Sequence, residues 1–120
     1  MTEQEPNEME RDRPFERGHV VWVAWPDHAE SGPFLVLSDE TNPNHGEEYI
    51  GVPLSTTEQE HAVRITSTEW ETGGLDEASF ALTWRLQTIP HEAIERGIGD
   101  LSDEAVDEVA RAVKSVLQVE

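Results

Sequence analysis

His45 is the residue of this chain best suited to moving protons. An imidazole changes charge near neutrality and serves as general base or general acid at a modest environmental cost. Glu47 and Glu48 follow it within three positions, so a carboxylate stands ready to orient the ring or to take a proton itself. Ser55-Thr56-Thr57, a few residues on, is a cluster of hydroxyl donors. Arg85 is the remaining candidate, a guanidinium whose fork suits an oxyanion. Each has an ordinary counterpart: a turn histidine that caps its own loop, solvated acids, a satisfied surface arginine.

Two short apolar runs position the first of these groups. Pro33 to Leu37 is a near-continuous apolar run bounded by Gly32-Pro33 and Ser38-Asp39, as a buried strand requires. Tyr49 to Leu54 answers it. Pro53 cannot donate to a ladder and is expected near an edge or a strand end. Between the two runs Thr41-Asn42-Pro43-Asn44 and His45-Gly46 are turn chemistry. The polar excursion thus delivers its histidine and acids to the start of a rigid strand, where function commonly sits.

Composition narrows the classes. At 120 residues the chain is one domain with a single modest core. Without cysteine it has neither disulfides nor thiolate zinc sites. No apolar run approaches the roughly 20 residues that span a bilayer, and Met1 to Gly18 is polar, so a soluble cytoplasmic protein is expected. Twenty-six acids against eight bases give a net charge of −18, and Lys114 is the only lysine. Such self-repulsion is relieved at about 1 M salt, where the Debye length is only ~3 Å, which points to a halophilic setting. The same charge excludes a broad phosphate-binding face; nucleic-acid contact must rest on a few arginines in a groove.

Met1 to Arg13 is polar, lacks periodicity and reads as a disordered tail, and residues 14–120 as the folded domain. Val20 to Trp25 is β-rich and ends at Pro26; His28 lies in the loop after it. Glu58 to His61 reads as a surface loop, and Ala62 to Thr66 as a short strand with Arg64 turned away from Val63 and Ile65. Thr72-Gly73-Gly74-Leu75 is a turn. Ser79 to Ile89 alternates as one long strand, with Phe80, Leu82, Trp84 and Leu86 on one face and Arg85 on the other. Pro90 opens a helical turn over His91 to Arg96, closed by Gly97 and Gly99. Ser102 caps a last helix with Asp103 and Glu104 in its first turn. Val106, Val109, Val113, Val116 and Leu117 form its apolar stripe. Five or so strands followed by one helix make a mainly β fold, a small twisted, partly closed barrel with a C-terminal helix.

Several motifs resemble the PemK/MazF family of toxin ribonucleases. Arg17-Gly18-His19-Val20-Val21-Trp22-Val23 is similar to its R-G-D-V-V-W-V opening, and Gly32-Pro33-Phe34-Leu35-Val36-Leu37-Ser38-Asp39 to its R-P-x-L-V-x-S-N. Val52-Pro53-Leu54-Ser55-Thr56 resembles V-P-L-T-S. Gly74-Leu75-Asp76 through Thr88 keeps the family's spacing, and Ile98 to Glu104 resembles I-G-x-L-S-D-E. Asn42 to Tyr49 resembles the H-P-F-H-G-E-x-Y stretch of a haloarchaeal branch. There are departures. The family's phosphate-binding arginine aligns with Gly32, its threonine with Ser55, an acid with Trp84, and a further arginine with Gln87.

The resemblance implies an SH3-like, PemK-type barrel. It also implies a homodimer, a cognate antitoxin, single-stranded RNA as substrate, and cleavage by the 2′-hydroxyl with neither metal nor cofactor. On that footing the catalytic candidates are His45, Glu47, Ser55 and Arg85, with Arg85 in place of the missing arginine. Thr56, Thr57, His28, Arg17 and Arg64 are the candidates for RNA contact. Convergence of the 42–49 loop, the Ser55-Thr56 strand end and Arg85 is expected. Two other classes remain: an inactive module that binds nucleic acid or antitoxin on the same barrel, and a topoisomerase-poisoning toxin acting on DNA.

Overall fold

A computed structural model describes residues 14–24 and 31–117. The expected tail over residues 1–13, Trp25 and His28 lie outside the described residues.

Eight strands form one sheet. They are β1 (His19–Ala24), β2 (Ser31–Val36), β3 (Glu48–Ser55), β4 (Val63–Ile65), β5 (Trp70–Gly73), β6 (Ser79–Ala81), β7 (Gln87–Pro90) and β8 (Ile94–Leu101). Their order is β4-β6-β3-β2-β1-β8-β5, with β7 also paired to β3. Among the described residues there is a single α-helix, α1 (Asp103–Leu117), which follows β8. The observed architecture is thus the expected one, a mainly β half-barrel carrying a C-terminal helix.

The apolar runs are continuous because the sheet is covered on both faces. Val20, Leu35 and Val52 join Ala105, Val106, Val109 and Val113 of α1 in one cluster. Val21, Phe34 and Val36 face the other way, onto Phe15, Tyr49, Ile89 and Ile94. Ser102 caps α1 as expected, its Oγ accepting the Ala105 amide at 3.2 Å. The stripe ends sooner than its periodicity suggests, since Val116 and Leu117 are 41% and 56% exposed.

Pro53, expected near an edge or a strand end, meets the second: it is the third residue from the end of β3, which lies between β2 on one side and β6 with β7 on the other. Two expectations need correction. The long strand from Ser79 to Ile89 is two strands. β6 pairs with Leu54 and Ser55, β7 pairs with Glu48 to Gly51, and residues 82–86 leave the ladder between them. Pro53 stands opposite that gap. It offers a carbonyl to the Leu82 amide at 3.0 Å but has no N–H to return, so the ladder lapses there. The helical turn after Pro90 is only a 3-10 turn over His91–Ala93; Ile94 then begins β8, the longest strand beside β3. Gly97 and Gly99 belong to that strand. A Cβ on Gly99 would lie 2.3 Å from the Thr72 carbonyl oxygen, so glycine here permits close pairing with β5 instead of ending a helix.

Candidate functional site

The lapse opposite Pro53 builds the site. Residues 82–86, released from β3, carry Arg85 over a cavity of about 390 Å³. Val23 of β1, Ser31 to Phe34 of β2, Pro53 to Ser55 of β3, Leu82, Arg85 and Gln87 line it. Among the described residues the lining holds no carboxylate, in a chain with 26 acids. Arg85 is the one charged group among those described lining residues, and its guanidinium makes no ion pair among the described residues. A Cβ on Gly32 would meet nothing within 4 Å, so that wall is open. Ser55 is half-buried, and its Oγ accepts the Thr57 amide at 3.0 Å, leaving its proton to donate elsewhere. One cation and a hydroxyl donor in an acid-free recess can bind an oxyanion and stabilise added negative charge on it.

A second cavity, of about 450 Å³, adjoins the first and shares Pro33, Leu54 and Ser55 with it. Trp22, Thr56, Leu75, Asp76, Glu77 and Ser79 complete its lining. Arg96 lies over the Trp22 ring, Cζ 5.0 Å from the centroid.

His45 and Glu47 do not join Ser55 and Arg85. They precede Glu48, the first residue of β3, whereas Ser55 is its last. Seven steps of about 3.3 Å separate those strand ends by about 23 Å. The expected convergence is therefore not found within one chain. His45 is no free loop histidine either. Its side chain is 13% exposed, its ring meets Tyr49 edge-on at 5.7 Å, and its Nε2 lies 3.9 Å from Glu16. Its Nδ1 is buried with no hydrogen bond among the described residues. Tyr49 is fully buried; its hydroxyl accepts the Phe15 amide at 3.1 Å and meets His91 Nδ1 at 2.7 Å. Burial pushes the Tyr49 pKa above its ordinary value. The loop before β3 is equally well tied. Asp39 accepts the Thr41 hydroxyl and amide, which hold its carboxyl below its usual range, and Asn42 accepts the Asn44 amide. Glu47 is exposed.

The other candidates scatter. Arg17 is engaged, donating to the Leu37 carbonyl at 3.0 Å and to Asp107 of α1 at 2.9 Å. Arg64, on β4, lies 6.0 Å from the Phe80 ring centroid and lines neither cavity. Thr56 lines the second cavity; Thr57 is exposed beside it. Gln87, Trp22, Asp76 and Glu77 were not among the sequence candidates. A usable signal existed. The stretches Ser31 to Ser38, Tyr49 to Thr57 and Ala78 to His91 contain no acid, and the first cavity is lined almost wholly from them.

Residues 16–117 match the family model of the PemK-like, MazF-like toxins of type II toxin-antitoxin systems. The chain belongs to that family. No curated protein matches it. Among solved structures it is similar to MazF-mt6, a toxin of Mycobacterium tuberculosis, at 21% identity and a TM-score of 0.68, covering 90% of this chain and 99% of that one. A MazE-MazF structure from Deinococcus radiodurans gives 16% identity and a TM-score of 0.73 over 90% of this chain and 100% of the other. An endoribonuclease in complex with its cognate antitoxin, from a mycobacterial species, gives 16% and 0.71 over 90% and 97%. At such identities these likenesses concern the fold. On the motifs quoted above, the two PemK/MazF positions at Gly32 and Ser55 both line the acid-free cavity.

Proposed function

We propose that this chain is a toxin-type endoribonuclease whose phosphate-binding cation is Arg85, standing in for the family arginine absent at Gly32. The observation that carries the reading is the acid-free cavity. In so acidic a chain, a recess without carboxylates, holding one uncommitted guanidinium beside a hydroxyl, suits a phosphodiester. Arg85 would hold the phosphate and Ser55 would donate to a nonbridging oxygen, while the 2′-hydroxyl passes its proton to solvent water as it attacks phosphorus and the departing 5′-oxygen takes a proton from water. The products are a 2′,3′-cyclic phosphate and a 5′-hydroxyl end. Among the described residues that line this cavity none is an imidazole or a carboxylate, and the contribution these residues make is charge stabilisation.

The supporting experiment is cleavage of single-stranded RNA in molar potassium chloride, with the cyclic phosphate identified at the product end. Arg85→Ala should reduce the rate by about 10²–10³-fold, as loss of a charge-stabilising donor does. Cleavage that survives Arg85→Ala unchanged rejects this site.

The finer family features belong to the same reading: a cognate antitoxin, a homodimer, a cytoplasmic setting and membership of a haloarchaeal-type branch. The exposed apolar side chains Ile50 and Leu86 flank a groove of about 290 Å³ with Leu37, Ala110 and Val113, which supports a second copy there. The distance of His45 and Glu47 from Arg85 favours a second reading. A cavity whose described lining residues include no imidazole or carboxylate is suited to bind RNA or antitoxin without cutting. RNA binding that depends on Arg85, with no cyclic phosphate formed, would establish that alternative.

A further inference from the structure

The two adjoining cavities differ sharply in charge. Among the described residues that line them, the first has Arg85 and no acid; the second has Asp76 and Glu77 at its wall, its nearest cation being Arg96 over the Trp22 ring. Ser55 stands between them, shared by both. A nucleotide strand laid across Ser55 must therefore place its phosphate in the first cavity, because two carboxylates repel a phosphate. The second cavity, with Trp22, Pro33, Leu54 and Leu75 as apolar walls, then receives a base.

The acids are well placed to read that base. The chain reaches them through Gly73 (φ 66°) and Gly74 (φ 149°), conformations that a side chain would strain. A Cβ on Gly73 would lie 2.1 Å from the Ile98 carbonyl oxygen, so this turn is pressed against β8. Leu75 packs on the core cluster, and buried Ser79 donates to the Glu77 carbonyl at 3.4 Å. The segment is anchored on both sides of its acids. An ionised carboxylate accepts hydrogen bonds and donates none.

We infer that this second cavity is a base-selecting subsite, in which Asp76 and Glu77 favour the base beside the bound phosphate when its edge donates N–H groups. This rests on the ribonuclease reading of the first cavity. Guanine, which offers an N1–H and an amino group together, suits two carboxylate oxygens best. Adenine and cytosine offer an amino group. Uracil offers one N–H flanked by two carbonyl oxygens, which the acids repel, and ranks last.

The test uses four single-stranded oligonucleotides that differ only in the base next to one scissile linkage. Cleavage is read on these, and binding on their 2′-deoxy counterparts. The parent protein should prefer guanine over uracil by about 5- to 100-fold, the range of one well-made base contact. Asp76→Asn and Glu77→Gln, which can donate to uracil, should bring that ratio toward one while the rate on the uracil substrate holds or rises. Equal treatment of all four bases by the parent overturns the inference and leaves the ribonuclease reading intact. So does an equal loss of rate on all four in the variants, which would mark the acids as proton acceptors or as supports of the fold. Failure of the parent to bind or cut any of the four overturns both. Base-dependent binding without cleavage upholds the subsite and rejects the ribonuclease.

Discussion

At the scale of single residues, Arg85 and His45, both candidates for chemistry by type, part company in the structure. Arg85, exposed on the surface, is the charge over a cavity with no acid among its described lining residues. His45, in a turn, reads as chemistry, yet its ring is packed against Tyr49. His45→Ala should therefore lower stability by about 1–3 kcal/mol through lost ring packing. Chemical denaturation measures this; an unchanged midpoint with impaired cleavage would restore His45 as a catalytic group. Tyr49 gives the pH counterpart. Its burial raises the folded pKa above the unfolded value near 10, so the stability gained by keeping it neutral is complete below about pH 10. That stability is lost as pH rises from there through the folded value. Tyr49 is the only tyrosine, and Lys114 the only lysine, so the alkaline fall should flatten in Tyr49→Phe.

At the scale of elements, β1, β2, β3 and α1 were legible because their burial is written as apolar runs and a 3.6-residue stripe. β5 and β8 were not. Ile94–Leu101, of 8 residues, is mostly glycine and charge, and its pairing depends on what glycine omits, a Cβ between adjacent backbones. The split of the 79–89 run was hidden for a different reason. Its parity fails where the ladder ends, with Ala81 and Thr83 buried and Trp84 and Leu86 exposed, and the interruption comes from Pro53 on the neighbouring strand. The candidate site was legible in part. Ser55 and Arg85 were found, whereas grouping His45 with them ignored that β3 must run its full length between them. Gly73→Ala tests the β5–β8 contact. The left-handed turn and the clash with Ile98 should together cost about 1–3 kcal/mol, read as a lower melting temperature. A neutral result would mean that the two strands separate easily.

At the scale of the whole molecule, charge sets the conditions. With a net charge of −18, the melting temperature should rise strongly between low and molar salt, as repulsion is screened. A flat response would remove the halophilic reading. Sedimentation at high salt should show a dimer, and a persistent monomer would contradict a second copy on the Leu86 groove.

On the proposed reading, the phosphate-binding cation has moved from Gly32 to Arg85 within one cavity. Because a Cβ on Gly32 meets nothing within 4 Å among the described residues, a side chain can start from there without a clash at its root, and arginine is the one to put back. The decisive measurement is RNA cleavage by Arg85→Ala alone and by Gly32→Arg combined with Arg85→Ala. The first should be slowed by about 10²–10³-fold, and the second should recover at least about tenfold of that loss. A double variant as slow as Arg85→Ala, though folded, would contradict a shared phosphate site.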